Sequence, residues 1–294
     1  MEDKAKVSIV IRAKNEESLI GDCLQKIRDQ DYAGTVETIL IDSGSHDRTV
    51  DIARTFASVR VVEILPAEFN YGETLNLGVR LATGSYVVAL SAHCVPLTNQ
   101  WLSNLVVPLN RDSRVGGTFG RQVAWPDADY IEEFLLGWTE KPVEVQDTPN
   151  SDPDQILYSN ANSCFRRNLA IAYPFERLSF CEDRVWANRI LSVGSTIEYV
   201  ADAAVYHSHK RTFRGYYQMG YAIGRAKREM GQSIKVFRPR WYGIKPFRDR
   251  FLRWYYLASR RYGSGRFTSM KIAIKSLCQE ISIDTGMYLG WRGK

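Results

Sequence analysis

Three of the four histidines in this 294-residue chain stand close behind apolar, β-branched runs. His93 follows the run Ser85–Leu90, and Tyr206-His207-Ser208-His209 follows Ala203–Val205. In an extended segment residues 207 and 209 point to the same side. Imidazole nitrogen binds Mn²⁺, Co²⁺ or Zn²⁺, whereas Mg²⁺ prefers oxygen. The neighbouring Lys210, Arg211 and Arg214 offer a second way to hold a phosphate, without metal. Asp42-Ser43-Gly44-Ser45 closes another β-branched run as a tight turn with backbone donors. Its carboxylate is expected to face a crevice, where it could accept the imide N–H of a pyrimidine. Ser45 and Asp47 fit the simpler role of helix caps, and His46 in the same turn is expected to be exposed. Glu182-Asp183 opens a helical stretch, where two acids also suit the positive end of the helix dipole.

The elements that must position these residues are legible from periodicity. Strand-like runs cover Val7–Arg12, Val36–Asp42, Arg60–Leu65 and Ser85–Leu90, with helical stretches Ser18–Gln30, Asp47–Ala57 and Glu73–Ala82 between them. In the first helix Leu19, Ile20, Cys23, Leu24 and Ile27 recur at helical spacing. Such alternation predicts a mostly parallel, Rossmann-like sheet with helices on both faces. Ligands of such sheets sit beyond the carboxyl ends of the strands. Further on, residues 140–155 read as an exposed loop and Tyr158–Arg166 as a strand. Asp183–Val193 reads as a helix stopped by Gly194, and Ile197–Val200 and Ala203–His207 as strands. Beyond Thr212 the chain reads as helical, with a break over Arg238–Pro246.

The ordered series VSIVIRAKNEE, TILIDSGSHDRTVDIA, Phe69-Asn70-Tyr71-Gly72-Glu73-Thr74-Leu75-Asn76 and Ala82-Thr83-Gly84-Ser85-Tyr86 resembles the family 2 glycosyltransferases, which have the GT-A fold. The likeness is nearest to bacterial surface-polysaccharide and rhamnosyltransferase-like members. It implies an inverting enzyme acting on a nucleotide-diphosphate sugar, with Arg12, Ala13, Asn15, Glu16, Asp42, Gly72, Asn76, Ser91, Ala92, Asn160, Asn162, Lys210 and Arg211 near the donor. It also implies Asp183 as general base, with Glu182 positioning the acceptor or pairing with a nearby Arg. The family's Asp-x-Asp is replaced by Ser91-Ala92-His93. The resemblance thus implies a divalent-metal site rebuilt on His93, His207 and His209, with Mn²⁺ favoured over Mg²⁺. Gly120-Arg121-Gln122 is read either as part of the sugar or acceptor site or as structural.

The net charge of +6 is concentrated late in the chain. From Lys235 to Lys275 twelve Lys or Arg accompany a single acid, Asp249. This divides the sequence into a catalytic domain, residues 1–231, and a basic aromatic helical region, 232–294. Phe247, Phe251, Trp254, Tyr255 and Ala258 recur at helical spacing among Arg248, Arg250, Arg253, Arg260 and Arg261. That pattern suits a helix on an anionic membrane surface, or a packing or homo-oligomer interface. No nucleic-acid recognition motif accompanies the charge. The five scattered cysteines suggest neither a disulfide framework nor a zinc site, and neither a signal peptide nor a membrane span is read. The expected location is cytoplasmic, with contact to the inner face of the membrane, and the expected partners are a UDP- or dTDP-linked donor and a glycan or lipid-linked acceptor. A catalytically silent relative that only binds nucleotide sugar or glycan is the alternative. A nucleotidylyltransferase is disfavoured, because RAKNEE is not a Gly-rich basic loop.

Overall fold

The structure is a computed structural model describing residues 5–137, 145–234, 244–262 and 266–293. It divides into two compact units, residues 1–126 with 136–208, and residues 127–135 with 209–294. The first unit is built on an eight-stranded sheet. Its strands are β1 (Val7–Ala13), β2 (Val36–Asp42), β3 (Val59–Glu63), β4 (Tyr86–Ser91), β5 (Val95–Pro96), β6 (Val115–Val123), β7 (Asn162–Arg166) and β8 (Thr196–Tyr206), in the order β3-β2-β1-β4-β7-β6-β8-β5. The first four are parallel, as the alternation predicts. Beyond β4 the sheet is mixed, since β7 runs antiparallel to β4 and β6, and β5 antiparallel to β8.

The sheet is buried on both faces, which explains the near-continuous apolar runs. Ile9, Ile11, Leu40, Val88 and Leu90 point into one core with helices α1 (Ile20–Arg28), α2 (Thr49–Arg54) and α4 (Trp101–Arg111). Val10, Ile39, Ile41, Val87 and Ala89 point into the other, with α3 (Tyr71–Leu81), α6 (Arg167–Ala172) and α7 (Glu182–Ser192). Strand β6 was not expected, and β8 is one strand rather than two; its register against β6 shifts between Gly120 and Gln122. The expected loop over residues 140–155 falls partly outside the described residues, and so does most of the break over Arg238–Pro246.

The second unit is helical: α5 (Tyr130–Leu136), α8 (Phe213–Glu229), α9 (Ile244–Tyr262) and α10 (Arg266–Arg292). Helices α8 and α10 meet backbone to backbone. A Cβ on Gly220 would lie 2.0 Å from the Ile283 carbonyl oxygen, one on Gly224 1.9 Å from that of Met287, and one on Gly286 2.0 Å from that of Tyr217. Glycines four apart on both helices permit this approach, as small-residue stripes do between helices generally. It places α8 with the C-terminal helices, so the division falls after Ser208 and not after residue 231.

On α9, Trp254 and Ala258 are fully buried, with Phe251 and Tyr255 packed against the same core. Arg250 meets Asp284 at 2.8 Å, while Arg253 and the Trp254 indole N–H both meet Glu280. Of the alternatives read for the aromatic stripe, the structure shows packing: Trp254 and Ala258 face the unit's own interior, and two of its arginines are neutralised by α10. Phe247 and Arg261, from the same pattern, lie outside the described side chains.

Candidate active site

The carboxyl ends of β1, β2 and β4 gather the candidate residues, and strand β5 completes the arrangement. Val95 pairs with Tyr206, so the turn after β4 is stitched to the end of β8 and His93 arrives beside His207. Their Nε2 atoms are 3.1 Å apart and the rings stack with centroids 5.0 Å apart. The opposite ring nitrogens are both held: His93 Nδ1 lies 2.8 Å from Glu16 Oε1, and His207 Nδ1 lies 2.6 Å from Gln122 Oε1. An ionised carboxylate and an amide oxygen are acceptors only. An imidazole that donates from Nδ1 to such an acceptor, and carries no second proton, turns the lone pair of Nε2 toward the other ring. Two such lone pairs at 3.1 Å repel unless a proton or a metal ion lies between them.

The donor set fits a divalent ion. Imidazole ligands of metals characteristically donate the other ring N–H to a carboxylate or carbonyl oxygen. Two nitrogens 3.1 Å apart can also share one ion at metal–nitrogen distances of about 2 Å. His209, two residues beyond His207, opens the second unit, where its main-chain N–H donates to Glu132 Oε2 at 3.1 Å.

The acidic pair lies close by through Arg12. The Ala92 N–H donates to the Arg12 carbonyl. The Arg12 guanidinium donates to the Tyr71 carbonyl at 2.8 Å and meets Glu182 Oε1 at 3.3 Å. Glu182 is 5% exposed. Burial and the adjacent Asp183 charge push its carboxyl up to about 7, against the opposing pull of Arg12. Asp183 is fixed differently, with Oδ2 accepting the Asn160 N–H at 3.2 Å and Oδ1 the Arg184 N–H at 2.8 Å. Cys181, immediately before the pair, adopts a left-handed φ of 65°. Such a conformation in a residue other than glycine is uncommon and often found beside functional groups.

Several expected donor residues have other work. Asp42 is 1% exposed, and its carboxylate accepts the Gly44 N–H, the Ser45 N–H and the Ser45 hydroxyl. It organises its own turn instead of facing the crevice. Ser45 is not a helix cap but accepts the Asn15 N–H at 2.8 Å, while Asn15 accepts the His46 N–H, joining the loops after β1 and β2. Asp47 does serve the helix start, accepting the Thr49 N–H. His46 is exposed.

Asn76 exchanges two hydrogen bonds with the backbone of Phe175. The bare Cα of Gly72 admits the Glu176 carbonyl, which a Cβ would meet at 2.2 Å. Both therefore seat the loop leading into α7. Asn162 is fully buried, donating to the Ala203 and Arg121 carbonyls and accepting from the Trp101 indole N–H. It holds the sheet together and is no donor ligand. Asn160 is also buried, with its Oδ1 accepting from Ser163. In the second unit Lys210 pairs with Asp127, and Arg211 with the buried Glu132. Removing one member of such a buried pair is strongly destabilising, so Arg211 is first a structural residue. Ala13, Ser91 and Ala92 lie at the strand ends, Ala13 and Ala92 buried and Ser91 donating its N–H to the Ala161 carbonyl.

Among known proteins, residues 8–171, more than half of the chain, match the family described as Glycosyl transferase family 2. The chain belongs to that family and is a glycosyltransferase. Two curated relatives are O-antigen chain rhamnosyltransferases of Salmonella. WbaN of Salmonella anatum is 30% identical over 195 residues, covering 64% of this chain and 61% of that protein's length. RfbN of Salmonella typhimurium is 26% identical over 231 residues, covering 74% and 71%. A mannosyltransferase from Pyrobaculum calidifontis, solved with GDP-Man and Mn²⁺, superposes with a TM-score of 0.60 at 20% identity, over 92% of this chain and 74% of that one. Glucosyl-3-phosphoglycerate synthase from Mycobacterium tuberculosis, solved with Mn²⁺, UDP-glucose and phosphoglyceric acid, gives 0.56 at 19%, over 79% and 82%. These likenesses establish the GT-A architecture.

The raised Glu182 carboxyl has a sign that can be measured. Folding holds its proton up to about pH 7, against an ordinary 4.5. The stability this group contributes is therefore present at low pH and lost as pH rises through 7. Thermal unfolding midpoints should fall between pH 5 and 8 in the native chain and fall less in Glu182→Gln. Parallel profiles would remove Glu182 as their source.

Proposed function

We propose that this glycosyltransferase is an inverting enzyme. It moves a hexosyl or deoxyhexosyl group from a UDP- or dTDP-linked sugar to a glycan or lipid-linked acceptor of a bacterial surface polysaccharide, in the cytoplasm at the inner face of the membrane. The observation that carries the reading is the histidine pair, with Nε2 atoms 3.1 Å apart and both Nδ1 atoms held by oxygen. Retention of Asp183 beside the histidine pair weighs against a catalytically silent relative. The rhamnosyltransferase relatives support the surface-polysaccharide context. The structural neighbours solved with Mn²⁺ and nucleotide sugar support a divalent ion, which we place on His93 and His207. When bound, such an ion supplies positive charge where the leaving diphosphate becomes more negative.

The protein's own groups then divide the work. Asp183, its carboxylate aimed by the Asn160 and Arg184 N–H groups, accepts the proton of the acceptor hydroxyl. That oxygen attacks the anomeric carbon as the bond to the diphosphate oxygen breaks on the opposite face. The nucleoside diphosphate leaves and the configuration inverts. Glu182 positions Arg12, and the two together link the acidic pair to the strand ends.

Asp183→Asn should lower transfer by at least a hundredfold, since general bases contribute about 10²–10⁴, with nucleotide affinity nearly unchanged. Near-normal turnover would remove Asp183 from the role of base. His93→Ala should weaken binding of a nucleotide-sugar donor, measured by calorimetry, in the presence of Mn²⁺ but not in EDTA. Equal loss in both would mean that His93 touches the donor directly.

A further inference from the structure

The inward turn of Trp254 and Ala258 leaves a different set of side chains outside. On α9 these are Leu252 and Tyr256, 51% and 52% exposed and one turn apart. On α10 they are Phe267, Met270 and Ile274, at i, i+3 and i+7, 69%, 45% and 51% exposed. Single exposed apolar residues need no explanation, but helical stripes of them do. Cations accompany the stripes. The Arg260 guanidinium lies 4.8 Å from the Tyr256 ring centroid, and the Lys271 ammonium 4.6 Å from that of Phe267. Arg266 opens α10 beside Phe267 and is exposed. Among the described residues none of these three cations meets a carboxylate, whereas Arg250, Arg253 and Lys275 on the same helices are each paired.

We infer that the outer stripes of α9 and α10 form a docking surface for an anionic phospholipid bilayer. Apolar side chains interleaved with unneutralised cations are what an interfacial helix presents to a lipid surface. The rings enter the headgroup boundary, and the cations lying over them stay at phosphate level. Among the described residues no helix is long and apolar enough to cross a membrane; lying on the surface requires none. A second copy is the poorer occupant. A two-fold contact through these stripes would gather Arg260, Arg266 and Lys271 of both copies into one interface, with no carboxylate from the stripes to neutralise them. The inference deepens the proposed use of a lipid-linked acceptor, yet its test involves no turnover, so either can fail alone.

The full chain should cosediment with phosphatidylcholine–phosphatidylglycerol vesicles far more than with phosphatidylcholine alone, and salt should weaken the binding. Two double variants test the two components, Phe267→Ser with Ile274→Ser, and Arg260→Glu with Lys271→Glu. The glutamate variant should lower partitioning about tenfold or more, given about fivefold per basic residue at an anionic surface. The serine variant should lower it about tenfold or more through the apolar area it withdraws, since burying one such side chain fully is worth about tenfold or more. Thermal unfolding and nucleotide binding should stay at native values. Failure of the native chain to prefer anionic vesicles overturns the inference, as does native-like partitioning of either variant. Loss in the glutamate variant alone would mark general polyanion attraction. A native dimer that the serine variant dissolves, seen by sedimentation equilibrium, would assign the surface to a second copy.

Discussion

Two imidazole nitrogens facing each other at 3.1 Å, each ring held from behind by an oxygen, are the constraint around which this site is organised. Two facing lone pairs make the arrangement unfavourable by itself, and a proton or a metal ion between the rings relieves it. The fold enforces it over long sequence distances. Short strand β5 pairs with the end of β8 and brings His93 to His207, while the loop after β1 supplies Glu16 and strand β6 supplies Gln122. Where the common family pattern uses carboxylates, this chain presents nitrogen donors whose orientation is fixed by hydrogen bonds. In the metal site proposed above, nitrogen ligands would favour Mn²⁺ over Mg²⁺.

Arg12 joins that constraint to the acid–base side of the site. Its carbonyl receives the N–H of Ala92 beside His93, and its guanidinium reaches Glu182. A buried carboxylate next to a second one is costly to ionise, and Arg12 offsets part of that cost. Asp183, more exposed and held by backbone N–H groups, is left as the carboxylate able to receive a proton. Two adjacent acids thus come to differ through their environments, one as the partner of Arg12 and the other, proposed above as the base, held by the N–H groups of Asn160 and Arg184.

Much of this was legible in the residues themselves. The parallel half of the sheet followed from alternating apolar periods, while the three histidines were singled out by the family positions they occupy. Strand β6 was not legible because Gly116, Gly117 and Gly120 dilute its strand character. Glu16 and Gln122 could not be paired with their histidines because those contacts span 77 and 85 residues. Asn76 and Asn162 resemble ligands by type, but only the fold reveals that their amides are engaged by backbone and by Trp101. The basic tail shows the complementary difficulty. Periodicity identified an amphipathic helix, yet α9 carries aromatics on two sides, and only packing against α10 determines which side is inside. The glycines that seat α10 on α8 are two ordinary four-residue spacings until the helices are seen together.

The most direct test of the histidine pair as a metal site is pulsed electron paramagnetic resonance of Mn²⁺ added to the full-length protein. The account predicts nitrogen-14 couplings from at least two directly bound imidazoles, with one lost in His93→Ala and one in His207→Ala. Mn²⁺ that shows only water and oxygen couplings in the native chain, with spectra unchanged in both variants, would contradict it.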